Sequence, residues 1–123
     1  MANEIQITAS LTVYAPTAMS SALSRAFNGL QFNQNTYETT YGVLTVTTAG
    51  VAIPLGGIAA PHWFVGVNQD PTNYLQLKNG SGGAVVVRLY PGEVAFFPWD
   101  NGATPYAVSS TASTTLEYLL LSY

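Results

Sequence analysis

The chain has 123 residues, 48% of them hydrophobic, but only three Lys or Arg against six Asp or Glu, one His and no Cys. At 13.0 kDa it buries about two-thirds of its unfolded surface on folding, enough for a core without disulfides or metal. Three scattered cations, Arg25, Lys78 and Arg88, argue against nucleic-acid binding, which draws its affinity from neutralised phosphates. No run of 18 apolar residues exists, so no membrane-spanning helix is expected, and the start Met1-Ala2-Asn3-Glu4 lacks the features of a signal peptide.

In chain order, Ile5, Ile7, Ala9, Leu11 and Val13 alternate with Gln6, Thr8, Ser10, Thr12 and Tyr14. Period two is the signature of a strand with one buried face. This strand runs to about eleven residues, roughly 36 Å if straight. Residues 1–8 are expected to reach beyond the body as an N-terminal arm. From Thr17 to Phe27, Met19, Leu23 and Phe27 recur every four residues beside Ala18, Ala22 and Ala26, which predicts at most one short helix over 17–27. Ser20, Ser21 and Ser24 weaken that helix.

From Gln31 onward the pattern is β. Strands are expected at Thr36–Tyr41, Val43–Thr48 with Gly42 as the break, Val51–Leu55, Trp63–Val67, Tyr74–Lys78, Val85–Leu89, Val94–Phe97, Tyr106–Ser109 and Leu116–Ser122. Asn79-Gly80-Ser81-Gly82-Gly83 reads as a hairpin tip, because a phosphate-cradling loop would lead into a helix and this one leads into Val85-Val86-Val87. Many short strands with seven prolines and eleven glycines between them predict an all-β fold, a single β-sandwich or jelly-roll domain over 1–123.

Little in the sequence carries chemistry. A zinc site needs three or four ligands, and His62 stands without a cysteine or a second histidine, so it reads as a loop or interface residue. Glu93 and Asp100 flank one strand, but the Pro91-Gly92 and Asp100-Asn101-Gly102 turns account for both carboxylates without catalysis. No Ser lies in a Gly-x-Ser-x-Gly elbow. No enzyme activity, no cofactor and no metal are expected. Phe96 and Phe97 are adjacent and must face opposite sides of a sheet, one toward the core and one toward a neighbouring subunit. Candidate protein-interface residues are Ile5, Ile7, His62, Trp63, Tyr90, Phe96, Phe97 and Trp99.

The start Ala2-Asn3-Glu4-Ile5-Gln6-Ile7-Thr8-Ala9-Ser10-Leu11, the middle Trp63-Phe64-Val65-Gly66-Val67-Asn68 with Asp70 and Asn73-Tyr74, the turn Leu89-Tyr90-Pro91-Gly92-Glu93 and the end Leu116-Glu117-Tyr118-Leu119-Leu120-Leu121 together resemble small structural proteins of tailed-bacteriophage particles. The resemblance covers nearly the whole chain in style and order, without a diagnostic motif. Within that group it is most similar to head decoration (cement) proteins. It implies a virion protein made in the host bacterial cytoplasm. It also implies a homo-oligomer, a trimer before a dimer, with the major capsid protein as partner. Tail, connector and fibre-anchor proteins share the same style. A carbohydrate-binding sandwich using Trp63, Trp99 and the tyrosines as stacking platforms is the other alternative, and a small β-barrel enzyme the least favoured.

Overall fold

A computed structural model describes residues 5–13, 23–32, 38–99 and 103–122. The chain divides into two compact units, the first holding β1 and β2, the second β3 to β10.

In the first unit β1 (Ile5–Val13) pairs antiparallel with β2 (Leu23–Phe32), with a register shift between Ile7 and Ala9. The register sets apolar positions opposite one another: Ile5 with Phe32, Ile7 with Leu30, Ala9 with Phe27 and Val13 with Leu23. The helix expected over 17–27 is corrected here. Leu23 to Phe27 belong to β2, and residues 17–22 lie outside the described residues. The physical reason is that a four-residue spacing is also a multiple of two. Positions 23 and 27 therefore share a strand face as readily as a helix face, and pairing with β1 supplies the backbone partners.

The second unit contains β3 (Glu38–Val46), β4 (Val51–Ala52), β5 (Trp63–Asn68), β6 (Leu75–Asn79), β7 (Val85–Leu89), β8 (Val94–Pro98), β9 (Pro105–Ser109) and β10 (Thr114–Ser122). The pairings nest: β3 with β10, β4 with β9, β5 with β8 and β6 with β7, all antiparallel. Two further pairings, β10 with β5 and β9 with β6, knit these into two four-stranded sheets ordered β3-β10-β5-β8 and β4-β9-β6-β7. A long hairpin wrapped into two such sheets is the jelly roll, so the β-sandwich expected from turn spacing is found, with this topology.

Alternation explains the core. β5 and β10 bury every second residue: Phe64 and Asn68 on one, Leu116, Tyr118 and Leu120 on the other. Leu75, Leu77, Leu89 and Ala107 come from the opposite sheet, and Val46, Ile53, Ile58 and Trp99 complete the cluster. β3 runs unbroken through Gly42, where the sequence predicted a break between two strands. Gly42 stands opposite Tyr118, and a Cβ there would come within 2.7 Å of the Tyr118 hydroxyl oxygen. Glycine at this site makes room for a large inward ring rather than a turn. Tyr118 then donates a 3.3 Å hydrogen bond to the Pro54 carbonyl, and its burial pushes the phenol pKa up.

Two loops at one end of the sandwich are fastened by the buried Asn68. Its Nδ2 donates to the carbonyls of Asn73 (2.9 Å) and Leu89 (3.0 Å), and its Oδ1 accepts from the Asp70 N–H (3.0 Å). Its backbone joins the neighbouring turn, donating to Glu93 O and accepting from the Gly92 N–H. That turn, Tyr90-Pro91-Gly92-Glu93, closes with Glu93 N–H to Tyr90 O at 3.0 Å, and Gly92 takes φ +77°, as a type II turn requires. The hairpin tip after β6 closes with Gly83 N–H to Gly80 O, in agreement with the sequence reading.

Candidate interaction surface

The outward side chains of the β3-β10-β5-β8 sheet follow from register. One row runs Tyr41, Leu119, Val65, Phe96 across the four strands, and the next runs Val43, Glu117, Val67, Val94. Seven of these eight residues are apolar or aromatic. The edges of the face are the most open: Tyr41 is 64% exposed, Val94 66% and Phe96 39%. Trp63, one step further along β5, is half-buried and stacks on Phe96 with ring centroids 5.4 Å apart. Between the rows lies a groove of about 360 Å³ lined by Tyr41, Val65, Val67, Val94, Glu117 and Leu119.

Glu117 is the one charge in these two rows. Tyr41 Oη donates to its Oε1 at 2.8 Å, and Gln69 Nε2 donates to its Oε2. The hydrogen bond to Glu117, then desolvation and the carboxylate's charge, hold the Tyr41 phenol pKa above its ordinary value. Tyr41 is thereby held as the donor of this pair, and Glu117 supplies an acceptor set into an apolar wall.

The outer face of the other sheet differs in sign. Gln76 and Lys78 on β6, Arg88 on β7 and Tyr106 and Val108 on β9 point outward, with Gln76 registered against both Arg88 and Val108, and Lys78 against Tyr106. The Arg88 guanidinium lies 4.6 Å from the centroid of the Tyr74 ring, and Tyr74 in turn sits 5.6 Å from Tyr90. Two of the chain's three cations thus stand on this face.

The structure separates the residues that the sequence grouped as an interface. Trp63 and Phe96 meet on the apolar face. Phe97 turns inward, as its adjacency to Phe96 requires, and packs half-buried against Phe64 at 5.6 Å and Trp99 at 5.8 Å. Trp99 is a correction: it is only 6% exposed, and its Nε1 donates to Ala103 O at 2.9 Å, so it fills the core instead of facing a partner or a sugar. His62 is half-buried, its backbone N–H bonded to Leu121 O and its carbonyl to the Trp99 N–H. Tyr90 is exposed beyond the end of β7, and Ile5 and Ile7 belong to β1. Glu93 serves its turn, its Oε2 accepting the Tyr90 N–H at 2.8 Å, while Asp100 lies outside the described residues. Among the described residues no three of His, Asp and Glu gather into a cluster able to hold a metal ion.

The sequence reading missed Tyr41, Val43, Val94, Glu117 and Leu119. Their signal was present in Leu116-Glu117-Tyr118-Leu119-Leu120-Leu121, whose apolar residues occupy both parities and so both faces of one strand.

No protein-family model matches the chain, and no curated protein matches it. Its fold is similar to that of a solved chain from the Bacillus endospore appendages, which form a novel family of disulfide-linked pili, with a TM-score of 0.51 and 16% identity over 76% of this chain and 95% of that one. At that identity the likeness is one of fold, and this sequence has no cysteine with which to form disulfides.

Proposed function

We propose that the protein is a structural subunit of a larger assembly and catalyses no reaction. In its finer form the reading is a tailed-phage virion protein that decorates and stabilises the assembled head shell, with copies of itself, as a trimer, and the major capsid protein as partners. The observation that carries it is the apolar outer face built on β3, β10, β5 and β8. Four side chains there, Tyr41, Val43, Val94 and Phe96, leave roughly 400 Å² of large apolar groups in water, at the size where a patch on a soluble protein marks an interaction site. A chain with nine charges has few other devices against unwanted association, so such a face is better suited to being covered. The phage placement itself rests on the sequence resemblance.

A second reading, an appendage or fibre subunit, is favoured by the shared fold with a pilus-forming chain. Labelled antibody and electron microscopy of purified particles separate the two. Label on the head shell, together with a lower genome-release temperature after the protein is stripped, is the expected result, since a ligand of the assembled lattice stabilises it by mass action. Label on a tail or on an extracellular fibre overturns head decoration.

A further inference from the structure

The two outer faces of the jelly roll are complementary in charge. One is an apolar wall with the Glu117 carboxylate at its centre, and the other carries Lys78 and Arg88 among Tyr106, Val108 and Gln76. We propose that the chain self-associates head to tail, the β3-β10-β5-β8 face of one copy seated on the β4-β9-β6-β7 face of the next, with Glu117 of the first meeting the Lys78–Arg88 pair of the second. This deepens the structural-subunit reading above and rests on it.

Three observations select this occupant. The area is sufficient: Tyr41, Val43, Val94 and Phe96, the exposed apolar residues of that face, supply about half of the ~800 Å² per partner that a standard interface buries, before half-buried Trp63, Val65, Val67 and Leu119 are counted. Charge selects the opposite face over the same one. Two copies joined by the apolar face alone would bring two Glu117 carboxylates toward each other inside a desolvated contact, whereas the other face brings cations. Geometry permits it as well, since both faces are the outer surfaces of four-stranded antiparallel sheets, and sheets stack face to face about 10 Å apart. Arg88 is exposed and held over Tyr74, which pre-orders a long cation for a planar carboxylate.

The test uses two charge-reversed proteins, Glu117→Lys and the double variant Lys78→Glu with Arg88→Glu, and reads mass in solution by light scattering across a concentration series. Far-UV circular dichroism and thermal melting confirm that each stays folded. Each variant alone is expected to associate more than about tenfold more weakly than the unaltered chain, because like charges then face each other. Mixing the two restores assembly: the lysine at 117 of one meets the glutamates of the other, and the unaltered half of each pairs as before. If Glu117→Lys assembles as well as the unaltered chain, the proposed contact is wrong although the chain remains an assembling subunit. A double variant that assembles as well as the unaltered chain would overturn the head-to-tail arrangement in favour of a symmetric one, because it keeps Glu117 and the apolar face intact. An unaltered chain that stays folded and monomeric throughout would instead overturn self-assembly itself, and with it the trimer of the parent reading.

Discussion

Replacing Asn68 by alanine is the most informative single change to the fold. The side chain is fully buried at the end of β5 and makes three hydrogen bonds, to Asn73 O, Leu89 O and the Asp70 N–H. Neutral hydrogen bonds contribute about 1 kcal/mol each, and a buried polar group left without a partner costs a further 1–3 kcal/mol or so. The Leu89 carbonyl is the group at risk, because its bond to Asn68 is buried, while the loop groups at Asn73 and Asp70 can turn to water. At the low end of these figures the sum is about 4 kcal/mol, a large part of the roughly 5–15 kcal/mol that a small domain has in total. For a unit of this size each 1 kcal/mol lowers the midpoint by about 4–8 °C, so Asn68→Ala is expected to melt roughly 15–30 °C below the unaltered chain. Thermal unfolding followed by far-UV circular dichroism, checked by urea titration, measures it. A loss below about 1 kcal/mol would refute the reasoning, since it would mean that the loops do not depend on this clamp.

Other outcomes follow from the same geometry. Gly42→Val places a Cβ 2.7 Å from the Tyr118 hydroxyl and should destabilise by about 1–3 kcal/mol through displacement of that ring, read as a lowered melting midpoint. The Asp70 carboxylate accepts backbone N–H bonds from Asn73 (2.6 Å) and Thr72 (2.8 Å), which, in that order, hold its pKa below the ordinary 3.8. The folded protein therefore binds this proton less readily than the unfolded chain. Its contribution is fully present above pH 3.8 and is lost as the pH falls through the lower, folded value, so Asp70→Asn should flatten the acid limb of the urea midpoint against pH. Val94→Lys, on a residue with its side chain in water, should leave the unfolding free energy within about 0.5 kcal/mol of that of the unaltered chain while weakening self-association in light scattering.

The strand order was largely legible because the turns are strongly punctuated. Pro91-Gly92, Gly80 to Gly83 and Gln69 to Pro71 all fall between strands, and β7 occupies Val85–Leu89 as expected. Two local readings failed for one reason, namely that a residue type was given a backbone role when its neighbour across the sheet set its role. Gly42 makes room for Tyr118, a residue 76 positions later, and Phe27 sits opposite Ala9. Neither partner is visible to a window along the chain. From sequence alone Trp99 is a candidate interface residue, the place where tryptophan is enriched. Its place in the core depends on Phe64 and Phe97, which β5 and β8 bring together only after pairing. The apolar face was missed for the same reason: Tyr41, Leu119, Val65 and Phe96 come from four distant stretches and form a row only through three registers.

A contact between unlike faces has a consequence that a contact between like faces lacks. Each copy then keeps one unsatisfied face of each kind, so association continues until the rotation between copies closes a ring or extends without closure as a fibre. The outer faces of a sandwich look in nearly opposite directions, so an open stack, which would suit an appendage, forms directly. A ring of three, which would suit a threefold position on a shell, needs each copy to turn the array by a third of a turn. The same residues, Glu117 against Lys78 and Arg88, serve both outcomes, so substitutions on these faces test the contact and not the biological setting. What separates the two settings is the distribution of mass with rising concentration. A ring saturates at one discrete size, whereas an open stack grows in length with every increase in protein. A single species that resists further growth would therefore support the shell-bound trimer, and a continuous lengthening would favour the fibre.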